Sequence, residues 1–353
     1  MATIYDIARE AHVGIGTVSR VFNDHPSVSE VTRKRVLAVA SRLQYQPHPY
    51  ARGLARKRTN AILAIVPFFS TFFFVEVLRG VQAKLSEHQC DLVLHGVNHP
   101  DQIESSLHKH ALRGRPDGVL FFSMNLPDGL MREAKRLNTP VVLVDTAHEK
   151  FDSITIDNER GAYLATRHLL TLGHRRVGLL SANLESAPAR ERLAGYQRAL
   201  REAGIAIEQD LIKRTTSPVL DGFTQETGYA LMREFLAMEG SRPGAVVVSS
   251  DIQAMGALEA LREADIACPD GVAIIGFDDI VVASHLGLTT MRQPMFQMGF
   301  LAAERLLGRM EKRDLAPLHT TFTPELVVRK TCGGATRARN EHAQLSVLST
   351  ATK

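Results

Sequence analysis

The chain has 353 residues, 44% of them hydrophobic and 23% charged, with three cysteines and a formal net charge of +4. That is globular material for two or three domains, and Cys90, Cys268 and Cys332 are too scattered for a disulfide framework or a structural zinc site. The charge is uneven: residues 1–58 hold ten Lys or Arg against four acids, a net +6 that leaves −2 for the rest, so a small basic head suited to a polyanion is joined to a mildly acidic body.

The opening run MATIYDIAREAHV contains acids and no apolar h-region, so it is not read as a secretion signal, and a cytoplasmic location is expected. Ile4, Ile7, Ala8 and Ala11 recur at helical spacing, with Thr3 placed as N-cap. Gly14 breaks this pattern as a tight turn would. Val18, Val21 and Phe22 form a second stripe, ended by Asn23-Asp24-His25-Pro26. Ser29 can cap a third helix that buries Val36, Val39, Ala40 and Leu43, and Pro47 is expected to stop it by disfavouring helical geometry at Gln46. Helix, turn, helix and a supporting helix make a helix-turn-helix head. Gly14-Ile15-Gly16 also opens a dinucleotide-binding loop, but that loop follows a strand and needs a third glycine at position 19, where Ser19 stands.

With Thr17 to Asn23 as the recognition helix, Ile15, Gly16 and Arg20 lie near its start on the outward side. Arg20 is either a solvated cation or a bidentate reader of guanine. Thr17, Ser19 and Asn23 are short polar donors suited to phosphate oxygens. Thr3, Tyr5 and Tyr45 complete the set expected to face DNA in the head.

Farther along, AILAIVPFFSTFFFVEVL (61–78) is the most apolar stretch, but Pro67, Ser70, Thr71 and Glu76 interrupt it before it can span a membrane. It reads as strand, loop and helix. AILAIVP, DLVLHG, DGVLFF, PVVLVD, RVGLLS, AVVVSS and VAIIGFD are near-continuous apolar runs, as strands of parallel sheets buried on both faces would be. ERLAGYQRALREAG and DIQAMGALEALREADI are helical between them, so the body is α/β with more than one parallel sheet. Ligands in such sheets bind beyond the carboxyl ends of strands, where Asp145, Ser250-Asp251 and Asp278-Asp279 stand. Helix N-capping is the competing role, favoured for Asp251 and Asp279. No G-x-S-x-G, H-E-x-x-H or complete P-loop is present, so no enzyme is expected. His108 and His110 face apart at i,i+2, and neither a metal nor a cofactor is expected.

TIYDIAREAHVGIGTVSRVFN, VSEVTRKRVLAVASRLQYQP and ARGLARKRTNAILAIVP together resemble LacI/GalR-type bacterial transcription regulators, and within them the catabolite control group. The resemblance implies a dimer on a pseudo-palindromic operator and a hinge that becomes helical on DNA. Pro49 suits the first turn of that hinge, with His48 as its cap where family members commonly carry Asn. Leu54 matches the family's wedge leucine, which enters the minor groove. ERLAGY, DGFTQETGY, SSDIQAMGAL and IIGFDD look like the family's two-lobed effector core, similar to type I periplasmic sugar-binding proteins. On that match Arg192, Phe223, Ser250 and Asp278 hold a small effector. Phe73 and Phe74, in the first-lobe loop, either line the cleft or pack within the lobe.

The expected organisation is a helix-turn-helix domain (1–46), a hinge (47–59), a two-lobed effector and dimerisation core (60–332) and a disordered tail (333–353). That tail lacks the leucine heptads of tetrameric members, which favours a dimer. The expected protein is a repressor modulated by a sugar or related metabolite and independent of membranes. The alternative input, a phosphorylated carrier protein of the sugar phosphotransferase system, comes with the catabolite control resemblance.

Overall fold

The structure is a computed structural model that describes residues 2–22, 25–45, 59–67, 71–97, 116–124, 129, 131–132, 136, 139–217, 219–238, 240–312 and 315–334. The expectations for Asn23, the 47–58 part of the hinge with Leu54, His108 and His110, and the tail from 335 lie outside the described residues.

The head consists of α1 (Ile4–Glu10), α2 (Ile15–Phe22) and α3 (Glu30–Arg42). Thr3 caps α1 in a reciprocal box with Asp6, and Ser29 caps α3 by accepting from the Thr32 amide. Ile7, Ala11, Val18, Val21, Val36 and Ala40 close a small core between the three helices. Three details differ from expectation. The left-handed residue of the first turn is His12 (φ 50°), not Gly14, whose carbonyl instead accepts the first α2 amides. Helix α2 therefore starts at Ile15, two residues before Thr17. Helix α3 ends at Arg42, before Pro47 can act, because Gln44 turns left-handed (φ 48°) and the Tyr45 amide bonds back to the Ala40 carbonyl.

The body is two sheets. The first has the order β11-β5-β4-β3-β1-β2 and is wholly parallel. Its strands are β1 (Ala61–Val66), β2 (Asp91–Gly96), β3 (Gly118–Phe122), β4 (Val141–Val144), β5 (Asp152–Ile156) and β11 (His319–Phe322). The second runs β12-β10-β9-β8-β6-β7, parallel except for β12. It is built from β6 (Val177–Ser181), β7 (Ile212–Arg214), β8 (Ala245–Val248), β9 (Ala273–Asp278), β10 (Thr289–Arg292) and β12 (Glu325–Val327). The chain passes between the sheets after β5, β10 and β11, which makes two lobes joined by three crossings.

All seven expected strands form. The five others escape apolar-run reading because they are short and rich in Thr or charge, as in DSITI, TTMR and HTTF. The expectation of burial on both faces fails for β2. It is an edge strand, and its Val93 and Leu94 are exposed.

Helices α4 (Phe72–Ser86) and α10 (Met295–Glu311) cross in backbone contact over the first sheet. A Cβ on Gly299 would sit 1.8 Å from the Val77 carbonyl oxygen, and one on Gly80 would sit 2.0 Å from that of Phe296. The crossing matters to function because α4 begins at Phe72 and α10 follows Gln293, both at the cleft described below. Gly299→Ala is expected to force the helices apart at a cost of about 3 kcal/mol, read as a lower urea midpoint with unchanged slope. No helix among the described residues is long and apolar enough to cross a membrane.

Candidate functional site: an interlobe cleft and a three-helix head

The second lobe also contains α5 (Asn158–Thr171), α6 (Ala187–Glu202), α7 (Gln225–Leu236), α8 (Asp251–Glu263) and α9 (Val281–Leu286). The carboxyl ends of both parallel sheets face one cleft of about 710 Å3, counting its open mouth. Its walls follow strand ends: Pro67 after β1, Ser123 after β3 and Asp145 after β4 from the first lobe. Ser250 after β8, Asp278 at the end of β9 and Gln293 after β10 come from the second. This is where doubly wound sheets place ligands, and the size suits a small molecule.

All six residues assigned to the effector on resemblance, Phe73, Phe74, Arg192, Phe223, Ser250 and Asp278, line this one cleft. Phe74 does both things left open for it: it packs edge-on against Phe122 at 6.2 Å in the first-lobe core and still borders the cleft. Asp145, noted at a strand end, also lines it, as do Ser123, Asp221 and Gln293, which sequence reading missed. Gln293 follows the short polar strand β10, and Asp221 lies in a 3-10 turn, so neither had a strand-end or helix signal to mark it.

Arg192 organises the second-lobe wall. It is 6% exposed on the inner face of α6, with its guanidinium 3.7 Å from the centre of the Phe277 ring and 5.8 Å from that of Phe223. Its Nε donates to Asn158 Oδ1 at 2.9 Å and its Nη1 to the Ser249 carbonyl. Burial pushes its pKa down, while the charges of Asp278 and Asp145 push it back up. Asp278 accepts from Gln293 Nε2 at 2.5 Å and adopts φ 127°, a region few side chains occupy outside functional sites. Asp145, also left-handed (φ 56°), accepts from the Ser123 hydroxyl at 2.7 Å.

Burial raises both carboxyls to about 6, against the lowering effect of the Ser123 hydrogen bond at Asp145 and of Arg192 at Asp278. For Asp278 the folded value lies above the ordinary 3.8, so its contribution to stability is complete below about pH 4 and lost as pH rises through 6. Relative to the parent, Asp278→Asn should therefore gain stability between pH 4 and 6.5, by on the order of 2 kcal/mol in urea midpoints measured across that range.

Two capping expectations are corrected. Ser250, not Asp251, caps α8, accepting from the Gln253 amide at 3.2 Å. Asp251 is buried in the first turn, where it accepts from the Ile280 amide at 3.0 Å and the Thr290 hydroxyl at 2.6 Å. It thereby ties the β9–α9 loop to α8, and burial together with the Asp278 charge pushes its pKa well up. Asp279 caps nothing. It pairs with Arg292 and Arg329, both at 2.7 Å.

In the head, Tyr5 (63% exposed) and Ile15 (42%) present large apolar groups to solvent, as a surface that meets a groove would. Gly16 is open, with only the Arg20 side chain near, and Arg20 lies along its own helix with Nε on the Gly16 carbonyl at 3.2 Å. Thr17 and Ser19 are half-buried on the same helix. Thr3 spends its hydroxyl on Asp6, and Tyr45 packs on Phe22 with ring centres 5.7 Å apart.

Comparison with known proteins is concordant across head and body. Residues 3–48 match the family model for bacterial regulatory proteins of the lacI family, and residues 166–332 match a periplasmic binding protein-like domain. Catabolite control protein A of Priestia megaterium is 33% identical over 318 residues, 89% of this chain and 94% of its own. Among solved structures, a transcriptional regulator CelR–cellobiose complex aligns at 30% identity with a TM-score of 0.69, covering 94% of this chain and all of that one. The lac repressor dimer bound to operator and the anti-inducer ONPF aligns at 26% identity with a TM-score of 0.77, covering 94% and 99%. A basic three-helix head, two crossed parallel-sheet lobes and kinship along nearly the whole chain place this protein in the LacI family of DNA-binding transcriptional regulators, which are not enzymes.

Proposed function

We propose that this regulator represses transcription by binding a pseudo-palindromic operator as a dimer in the cytoplasm, and that a sugar or related metabolite in the interlobe cleft changes its operator affinity. One observation carries the reading: Arg192 and Asp278 on one lobe and Asp145 on the other border a single cleft, so a ligand touching all three responds to the angle between lobes. A charged fork and carboxylates suit hydroxyl-bearing ligands through charge-assisted hydrogen bonds. The CelR relative was solved with cellobiose, which supports the same class.

In the head, Ile15 and Arg20 are proposed to discriminate bases beside the bare Gly16. Tyr5, Thr17 and Ser19, with Asn23 beyond the described residues, are proposed to hold phosphates. Thr3, through the α1 cap, and Tyr45, through Phe22, set the helices that carry them. A single switch requires effector affinity to differ with and without operator. Calorimetry of the effector against free and operator-bound protein tests this, and equal affinities would remove the cleft as the switch. Kinship with catabolite control protein A keeps a second input in view, a phosphorylated carrier protein, which belongs in the same titration.

A further inference from the structure

The ionisable lining of the cleft is one-sided. Among the described residues it consists of Asp145, Asp221 and Asp278 against the guanidinium of Arg192. The carboxyls come from both lobes and all are pushed upward by burial. More negative charge stands behind two of them: Glu191 acts on Asp145 and Glu185 on Asp221. Arg192 offsets only part of this: its one positive charge is shared between Asp278 and Asp145, and two of its donors are already committed to Asn158 and the Ser249 carbonyl.

The hydrogen-bond inventory leans the same way. Gln293, 4% exposed, gives its Nε2 to Asp278 and leaves a buried Oε1 with no donor. Its carbonyl and the remaining carboxylate lone pairs are acceptors that call for donors. The helix amide ends that ordinarily attract phosphate are weakened here. Pro188 removes an amide from the first turn of α6, and the Ser250 hydroxyl takes up the Gln253 amide at the start of α8.

Resting on the reading that the cleft holds the effector, we propose that it admits an uncharged, unphosphorylated polyol, which donates hydroxyls to Asp145, Asp278 and Gln293, and rejects the phosphate esters and acids of the same sugars. An entering phosphate would set like charges against desolvated carboxylates and still leave Gln293 without a donor, whereas a hydroxyl satisfies both.

The test is calorimetry on the full chain at pH 7.5 with matched pairs: glucose and glucose 6-phosphate, galactose and galactose 6-phosphate, ribose and ribose 5-phosphate, trehalose and trehalose 6-phosphate, with glucuronate as the acid. The expected result is binding of at least one neutral sugar, on the order of 100-fold tighter than its phosphate. The Asp145→Asn/Asp278→Asn double variant should shrink that ratio below about tenfold, since the repelling charges are gone. A phosphate or acid that binds as tightly as its neutral parent overturns the inference and leaves the cleft's effector role standing. A panel in which no sugar of either kind binds overturns both.

Discussion

Arg192→Ala is expected to abolish the effector response while ligand-free operator binding stays within about threefold of the parent. The side chain is buried, and its removal leaves the Asn158 carbonyl oxygen and the Ser249 carbonyl without their donor. It also takes away a cation that offsets Asp278 and Asp145. Hydrogen bonds to a charged group contribute roughly 1.5–3 kcal/mol each, so losing two to a ligand weakens its binding about 100-fold or more. Arg192→Lys should not restore the response, because a single ammonium cannot hold Asn158, the Ser249 carbonyl and the face of Phe277 together. Anisotropy titrations of labelled operator, with and without effector, report both quantities in one experiment. A variant still released by effector at parental concentrations would take Arg192 out of the binding role, and a urea midpoint on the same sample separates that outcome from unfolding.

Leu54→Ala is expected to weaken specific operator binding about 100-fold and non-specific DNA binding less than threefold at the same salt. The expectation rests on the match of Leu54 to the family's wedge position and on the energetics of wedging. Unstacking a base step costs a few kcal/mol, and the bent duplex offsets this with contacts that only the correct site provides. Non-specific affinity is set by phosphate neutralisation, which an apolar side chain such as Leu54 does not provide and basic side chains such as those of Arg56-Lys57-Arg58 can. Operator and random duplexes titrated at fixed ionic strength test the difference, and equal losses on both would reduce Leu54 to a packing residue.

The head was legible in detail because its signals are local. Caps, the i, i+3, i+4 stripes and the break after Ala11 are written within a few residues of where they act, and Thr3, Ser29, Val36 and Val39 take the roles expected of them. The errors there are also local. A non-glycine, His12, adopts the left-handed turn, and Gln44 ends α3 ahead of a proline that would have ended it later. The long apolar strands were equally visible, since a parallel strand covered on both faces must be apolar throughout. Strands β5, β7, β10, β11 and β12 were not, because short segments at sheet margins and lobe crossings are stabilised by neighbours that lie far away in the chain.

The cleft divides along the same line. The resemblance brought six of its residues to notice, and strand-end position brought Asp145. Asp221 and Gln293 carry no such mark, although the second closes the hydrogen-bond geometry of Asp278. Asp251 was misread as a cap because its partners, Ile280 and Thr290, are 29 and 39 residues away. Chain order and residue type were enough to specify a basic DNA-reading head, two parallel-sheet lobes and the family, since each of these is encoded in periodicity and motif. The charge balance of the cleft, the donor that Gln293 lacks and the meeting of Asp145 with Arg192 depend on three crossings between lobes. Electrostatic and hydrogen-bond energies depend on distances through space, and those distances exist only once the two sheets have packed.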